Sequence, residues 1–202
     1  MNLVNQQIAS IHGNLCGDGC LTKYFVSGGP GDISRYNRKN KRRLRYLIVY
    51  TNNRKELLKK FKNNLRILFP DIKFSCSKEN EVRTRNKSIV KFFEKFGNFK
   101  SREWKIPKEI MNGKIRVKTA WLKSFFDDEG TIKGNRVISS SVNRNGMKQV
   151  HILLNRLKIK NKLKHYKTKS DVIVYNQKRY EKLIGFDHKL KLVKLKGRTL
   201  GI

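Results

Sequence analysis

The segments Ile11-His12-Gly13-Asn14-Leu15-Cys16-Gly17-Asp18-Gly19 and Leu122-Lys123-Ser124-Phe125-Phe126-Asp127-Asp128-Glu129-Gly130 decide how this chain folds. Each ends an apolar, helix-like stretch, and each closes on an acid followed by glycine. The two acids, Asp18 and Glu129, stand 111 positions apart. Beyond residue 44 an offset of 89 works better, carrying Phe61, Leu65 and Leu68 onto Val150, Leu154 and Leu157, the apolar stripes of two helices. It also carries Lys105, in Trp104-Lys105-Ile106, onto Lys194, in Val193-Lys194-Leu195. The difference of 22 residues is extra chain in the first half, where Ser27-Gly28-Gly29-Pro30-Gly31-Asp32 and the basic run 35–45 lie. The second half has only the short Lys133-Gly134-Asn135-Arg136 turn at that place.

The chain therefore reads as two repeats, 1–97 and 115–202, with a linker over 98–114 in which Pro107 marks a new helix start. The fold class is α+β, each repeat running helix, two strands, helix, two strands, helix. In the first repeat helices are predicted over 3–17, 54–69 and 88–96, and strands over 20–27, 43–52, 71–77 and 81–86. In the second, helices fall over 117–129, 146–158 and 177–185 and strands over 131–142, 160–167 and 171–176, with a helical tail after Gly185.

Forty-eight Lys and Arg against 15 acids give a formal charge of +33, spread over both halves. Self-repulsion on that scale is relieved by a polyanionic partner, nucleic acid being the commonest, although a generic basic protein of the ribosomal kind has the same balance. Cys16, Cys20 and Cys76 are odd in number and lack metal-ligand spacing, so buried free thiols are expected rather than disulfides or zinc. The sequence shows no secretory signal and no membrane-length apolar run, which predicts a soluble, intracellular protein with no membrane partner.

Along Ile72-Lys73-Phe74-Ser75-Cys76-Ser77 the apolar residues take one face, and Lys73, Ser75 and Ser77 the other. Arg83 and Arg85 repeat that period on the neighbouring strand. Acids are nearly absent, so this open sheet face is assigned to nucleic acid rather than to solvent alone.

Four features taken in order, the two glycine-terminated acidic motifs, Lys105-Ile106-Pro107 before the second motif and the closing Ile184-Gly185-Phe186-Asp187-His188-Lys189 segment, resemble the single-chain LAGLIDADG homing endonucleases over nearly the whole chain. The resemblance implies two motif helices packed side by side, ending together at the DNA. Gly13 and Gly17 supply small contacts for that packing, and the second helix departs from the pattern with Ser124 and Asp128. It implies two pseudo-symmetric αββαββα repeats, each with a four-stranded antiparallel sheet, together forming a DNA-binding saddle. It further implies a monomer that makes a staggered double-strand break in a long asymmetric target, and an intron- or intein-encoded origin.

By the same resemblance Asp18 and Glu129 hold Mg2+, or another divalent cation such as Mn2+, with the carbonyls of Gly17 and Asp128 completing the shell. Lys105 and Lys194 match lysines that the family uses near the scissile phosphates; each viewed alone is equally an ordinary solvated surface lysine. Asn52, whose counterpart is Ser141, either organises water at the site or caps the following helix. Asp127 is assigned a structural role on the argument that only one of three successive acids points at the partner helix. His12, His151, His165 and His188 are assigned no chemistry.

Candidate contacts to double-stranded DNA are Lys23, Arg35, Arg38, Arg43, Arg45, Lys73, Ser75, Ser77, Arg83 and Arg85 in the first repeat. Those in the second are Lys133, Arg136, Ser139, Ser141, Lys162, Lys164 and Tyr166. The long arm with Arg35, Arg38, Lys39, Lys41, Arg42 and Arg43 is expected to extend the backbone contact. Two other readings stand beside the nuclease. One is an intron RNA maturase of the same fold; the other is a non-catalytic DNA-binding regulator, which has no use for two acids facing a phosphate backbone.

Overall fold

The computed structural model describes residues 4–26, 43–75, 79–175 and 177–199. The elements run α1 (Gln6–Cys16), β1 (Gly19–Val26), β2 (Arg43–Thr51), α2 (Lys55–Leu68), β3 (Glu81–Thr84) and α3 (Lys87–Glu94). A connecting segment with the short α4 (Lys108–Met111), starting directly after Pro107, leads to α5 (Ile115–Glu129). Then follow β4 (Gly130–Lys133), β5 (Arg136–Ser141), α6 (Arg144–Arg156), β6 (Asn161–His165), β7 (Ser170–Val174), α7 (Gln177–Leu183) and α8 (Lys189–Thr199). Among these residues no helix is long and apolar enough to cross a membrane.

The sheets are antiparallel, a three-stranded one ordered β1-β2-β3 and a four-stranded one ordered β4-β5-β7-β6. The four strands expected of each repeat are thus seen in the second. In the first, residues 72–74 form no strand, and among the described residues the expected fourth strand is seen only as an isolated bridge from Ser75 to Arg83. Cys76 and Ser77 lie outside the described residues, as do Arg35, Arg38 and the rest of the arm up to residue 42.

α1 and α5 pack against each other at the centre, and their burial explains their composition. From Ile8 to Cys16 every residue of α1 is buried, including Ser10, His12 and Asn14. A buried polar group costs free energy unless it is hydrogen-bonded, and each of these finds a partner on α5. The Ser10 and Ser124 hydroxyls meet at 2.6 Å, Trp121 Nε1 donates to His12 Nδ1 at 2.9 Å, and Asn14 Nδ2 donates to Asp128 Oδ2 at 3.0 Å. Burial holds His12 down to a pKa of about 4, so the ring stays neutral and accepts the indole proton.

α2 lays its stripe of Leu57, Leu58, Phe61 and Leu65 into the core, where Phe61 meets the ring of Tyr50 at 4.6 Å. Trp104 and Ile106 of the connecting segment are buried against the second repeat. The Asn143 side chain secures them by donating to the Trp104 carbonyl at 2.6 Å while capping α6 through the Gly146 amide at 2.9 Å. Cys16 is buried as expected, but Cys20 is exposed on β1, because its position alternates away from the core-facing Leu21.

Candidate active site and nucleic-acid interface

The C-terminal ends of α1 and α5 bring Asp18 and Glu129 into one electrostatic neighbourhood. Two glycines allow that approach. A Cβ on Gly13 would stand 2.6 Å from the Trp121 carbonyl oxygen, and one on Gly17 would stand 2.7 Å from Cβ and Oδ2 of Asp128. Burial pushes the Glu129 carboxyl up to about 7, with the nearby Asp18 charge adding to the rise and Lys191 opposing it. Asp18 is also raised, by burial first, against the pull of Lys191 and a hydrogen bond from Asn52. Asp128 is raised well above the ordinary range, by burial and then by Asp18. The Asp18 charge therefore disfavours ionisation of both Asp128 and Glu129, on top of the burial that raises each of them.

Asp128 departs from its expected place. The rotation argument left only Glu129 facing the first helix, yet the Asp128 side chain also turns there, into the space that Gly17 leaves open. Its Oδ1 accepts from the Tyr50 hydroxyl at 2.6 Å and its Oδ2 from Asn14. Asp127 points elsewhere and accepts the backbone amides of Asp187 and His188 at 2.9 and 3.0 Å, tying down the turn before α8.

Asn52 does two jobs at once. Its Oδ1 accepts the Arg54 amide at 3.0 Å, closing the corner ahead of α2, and its Nδ2 donates to Asp18 Oδ2 at 2.9 Å. The lysine beside the acids is Lys191, which sequence reasoning missed. Its Nζ donates to the carbonyls of Phe126, Asp127 and Asp128 at 3.3, 2.6 and 3.4 Å, placing a cation on the negative end of α5. Lys194 lies one turn further along α8 and is exposed, and Lys105 is exposed on the connecting segment. The sequence signal for Lys191 was its i, i+3 spacing from Lys194 on one helix face.

The donor set fits a hard divalent cation. Asp18 and Glu129 offer carboxylate oxygens, their mutual repulsion is what such an ion relieves, and the Cys16 thiol is buried within α1. Among the described residues no three His, Cys, Asp or Glu side chains gather into a ready-made metal cage, so phosphate and water oxygens must supply the rest of a shell. Lys191 Nζ stands 3.4 Å from the Asp128 carbonyl that was assigned to the shell, and so competes for it.

Strand register sorts the predicted DNA contacts. The open face of the first sheet carries Arg43, Arg45 and Arg83, with Tyr24 opposite Arg45. Ser75 joins that face through its bridge to Arg83, and Lys73 and Arg85, outside the strands, are exposed. Lys23 alternates to the other side and pairs with Glu94 of α3 at 2.7 Å. The open face of the second sheet carries Lys133, Arg136, Lys162, Lys164 and, at its end, Tyr166, all exposed. Ser139 does not belong there: it is fully buried on the inner face, in register with Val172. Ser141 shares that inner side, its hydroxyl accepting the Asn143 amide at 3.2 Å. Ser140, one position on, is the outward serine, at 2.7 Å from Asp171 Oδ1.

These faces are not free of acids. Glu81 pairs with Arg83 at 3.0 Å and Asp171 with Lys169 at 3.3 Å. Aromatic rings stand among the cations, with the Arg136 guanidinium 5.3 Å from the centre of Tyr175 and Lys169 5.8 Å from that of Tyr166.

Comparison with known proteins bears on the fold that carries these residues. The family model of the LAGLIDADG-like domain matches residues 116–194. Curated relatives include proteins called replication factor C small subunit from Methanocaldococcus jannaschii, 27% identical over 187 residues, and from Pyrococcus horikoshii, 28% identical over 178 residues. The match takes in 85% of this chain in each case, but the chain spans only 10% and 18% of those proteins' lengths. Similar solved structures include the homing endonuclease I-DmoI in complex with DNA and manganese, with a TM-score of 0.65 at 19% identity, covering 89% of this chain and 96% of that one. The homing endonuclease I-WcaI bound to its DNA recognition sequence matches with a TM-score of 0.55 at 14% identity, over 90% of this chain and 81% of that one. Residues 116–194 thus match a LAGLIDADG-like domain, and the chain as a whole has the fold of these solved homing endonucleases.

Proposed function

We propose that this protein is a site-specific DNA endonuclease that makes a staggered double-strand break in a long, asymmetric target by metal-dependent phosphodiester hydrolysis. The observation that carries the reading is the meeting of Asp18 and Glu129 at paired helix ends, between two sheets whose open faces are basic. A carboxylate pair is a liability against a phosphate backbone unless a cation is held between them. The similar solved structures include complexes of I-DmoI with DNA and calcium and with DNA and manganese, which supports the same reading for this chain.

Each half-site would pair one acid with one strand. Asp18 and Glu129 would hold Mg2+ or Mn2+, which when bound neutralises charge on the phosphate and makes its attacking water more acidic. The Asn52 amide holds Asp18 in place by donating to Oδ2. Lys191 lies close enough to Asp18 and Glu129 to resist their protonation, and it supplies positive charge where the phosphate develops negative charge. Arg43, Arg45, Arg83, Lys133, Arg136, Lys162 and Lys164 would engage backbone and base edges, and since the two faces differ in sequence the site they read is asymmetric. A single chain brings both acids, so the active form is a monomer.

The test is selection from a plasmid library of random inserts incubated with the protein and magnesium. Discrete breaks at one asymmetric sequence are the expected outcome. A folded protein that cuts nothing and instead binds structured intron RNA tightly would replace this reading with the maturase.

A further inference from the structure

Resting on the endonuclease reading, we propose that Asp128 is a positioning residue lent by the second repeat to the half-site of the first: with Tyr50, its carboxylate holds the Asn52 amide onto Asp18. The Asn52 carbonyl oxygen is committed to the Arg54 amide at 3.0 Å, which fixes the amide nitrogen toward the acids. That nitrogen carries two hydrogens. One goes to Asp18 at 2.9 Å, and the other faces the Tyr50 hydroxyl oxygen at 3.4 Å and Asp128 Oδ1 at 3.5 Å. The Tyr50 hydrogen is itself spent on Asp128 Oδ1 at 2.6 Å, leaving the phenol oxygen's lone pairs turned to Asn52. Asn14 fixes the remaining oxygen of Asp128 at 3.0 Å.

A carboxylate fits at this point only because Gly17 has no side chain, since a Cβ there would stand 2.7 Å from Asp128 Cβ and Oδ2. Gly17 and Asp128 occupy equivalent places in the two motifs, so the departure at Asp128 and the small residue kept at Gly17 are one device. Among the described residues no mirror image of it serves Glu129. The counterparts of Tyr50 and Asn52 at the offset of 89 are Ser139 and Ser141. The Ser139 hydroxyl is buried with no hydrogen-bond partner among the described residues, and that of Ser141 is engaged with the Asn143 amide. The two half-sites are built differently, and Asp128 acts on one of them.

The test follows the two DNA strands separately. A duplex bearing the selected target, labelled at both ends, is cut under single-turnover conditions by wild type, Asn52→Ala, Asp128→Ala and Tyr50→Phe. Asp128→Ala retains the backbone carbonyl, and Tyr50→Phe keeps the ring packed on Phe61 while removing only the hydroxyl. Loss of one hydrogen bond to a charged group predicts that all three variants slow the same strand by about tenfold and the other by no more than roughly twofold. In the protein without DNA or metal, the Asn52 side-chain amide resonance, assigned with Asn52→Ala, shifts in Tyr50→Phe. Equal slowing of both strands, or an unmoved Asn52 resonance with an unchanged strand ratio, overturns the proposal. A wild type that cuts neither strand overturns the endonuclease reading instead, and the Asn52 resonance then still decides whether Tyr50 and Asp128 hold that amide.

Discussion

The hydroxyls of Ser10 and Ser124 meet at 2.6 Å across the contact between α1 and α5. Gly13 lies one turn further along α1, where a Cβ would stand 2.6 Å from the Trp121 carbonyl oxygen, an atom of rigid helix that has nowhere to go. Gly13→Ala gains about 1 kcal/mol of helix propensity. The overlap forces the helices apart at a cost of about 2–3 kcal/mol, so we expect a net loss of about 1–2 kcal/mol in urea unfolding. A variant as stable as wild type would contradict the packing described.

Stability without metal should fall as pH rises toward neutral. Glu129 titrates at about 7 in the folded protein, raised by burial and then by Asp18, against 4.5 for a free glutamate. The folded state therefore holds a proton that the unfolded chain has lost, and the stability tied to that proton disappears as pH rises from about 4.5 through about 7. Asp127, raised by burial to about 6, adds to the trend, whereas Asp187, which Lys60 and Lys123 hold low against the effect of burial, changes its contribution only below the free aspartate value of 3.8 and leaves this window untouched. The difference between wild type and Glu129→Gln isolates the one group. Thermal melts across that range should show a smaller decline in Glu129→Gln, and magnesium should raise the wild-type Tm more at pH 8 than at pH 5.

Replacing Lys191 should cost more activity than replacing either lysine identified from the repeat. Lys191→Met removes the cation that binds the last carbonyls of α5, with an expected loss of about 10²-fold in cleavage rate. Lys105 and Lys194, both exposed, should contribute to DNA affinity more than to the rate of the chemical step. Single-turnover rates at saturating protein separate the two effects, and a Lys194→Met rate as low as that of Lys191→Met would contradict this assignment.

Affinity for the target should depend on salt through the sheet cations. Removing one cation that neutralises a phosphate lowers the slope of log K against log salt by about 0.9. Arg43→Ala with Arg45→Ala should reduce that slope if both reach phosphates, while Lys23→Ala, already neutralised by Glu94, should leave it nearly unchanged. Ser139→Ala should leave both affinity and slope at wild-type values, because that hydroxyl is buried on the inner face.

The skeleton of the fold was legible in the sequence because periodicity and motif ends are local properties. The apolar run closing on Glu129 gives a helix whose last residue is Glu129, and the Lys133-Gly134-Asn135-Arg136 turn falls between β4 and β5. The direction of side chains was harder to read. An offset of 89 equates places along the chain, so it could pair Lys105 with Lys194 but could not say that Lys191 faces the acids. A one-residue error in strand phase moved Ser139, Ser141 and Lys23 to the wrong face, as the period of two demands. The Asp128 side chain was read from helix rotation and the family register that selects Glu129, and it turns inward because Gly17 on the other helix has no side chain.

The central claim is that Asp18 and Glu129 form one metal-dependent nuclease centre. It is tested most directly by Asp18→Asn and Glu129→Gln on the selected target, with binding measured in calcium and cutting of each strand measured in magnesium. We predict near wild-type affinity in both variants together with loss of double-strand cleavage. Double-strand cleavage at the wild-type rate by either folded variant would contradict it.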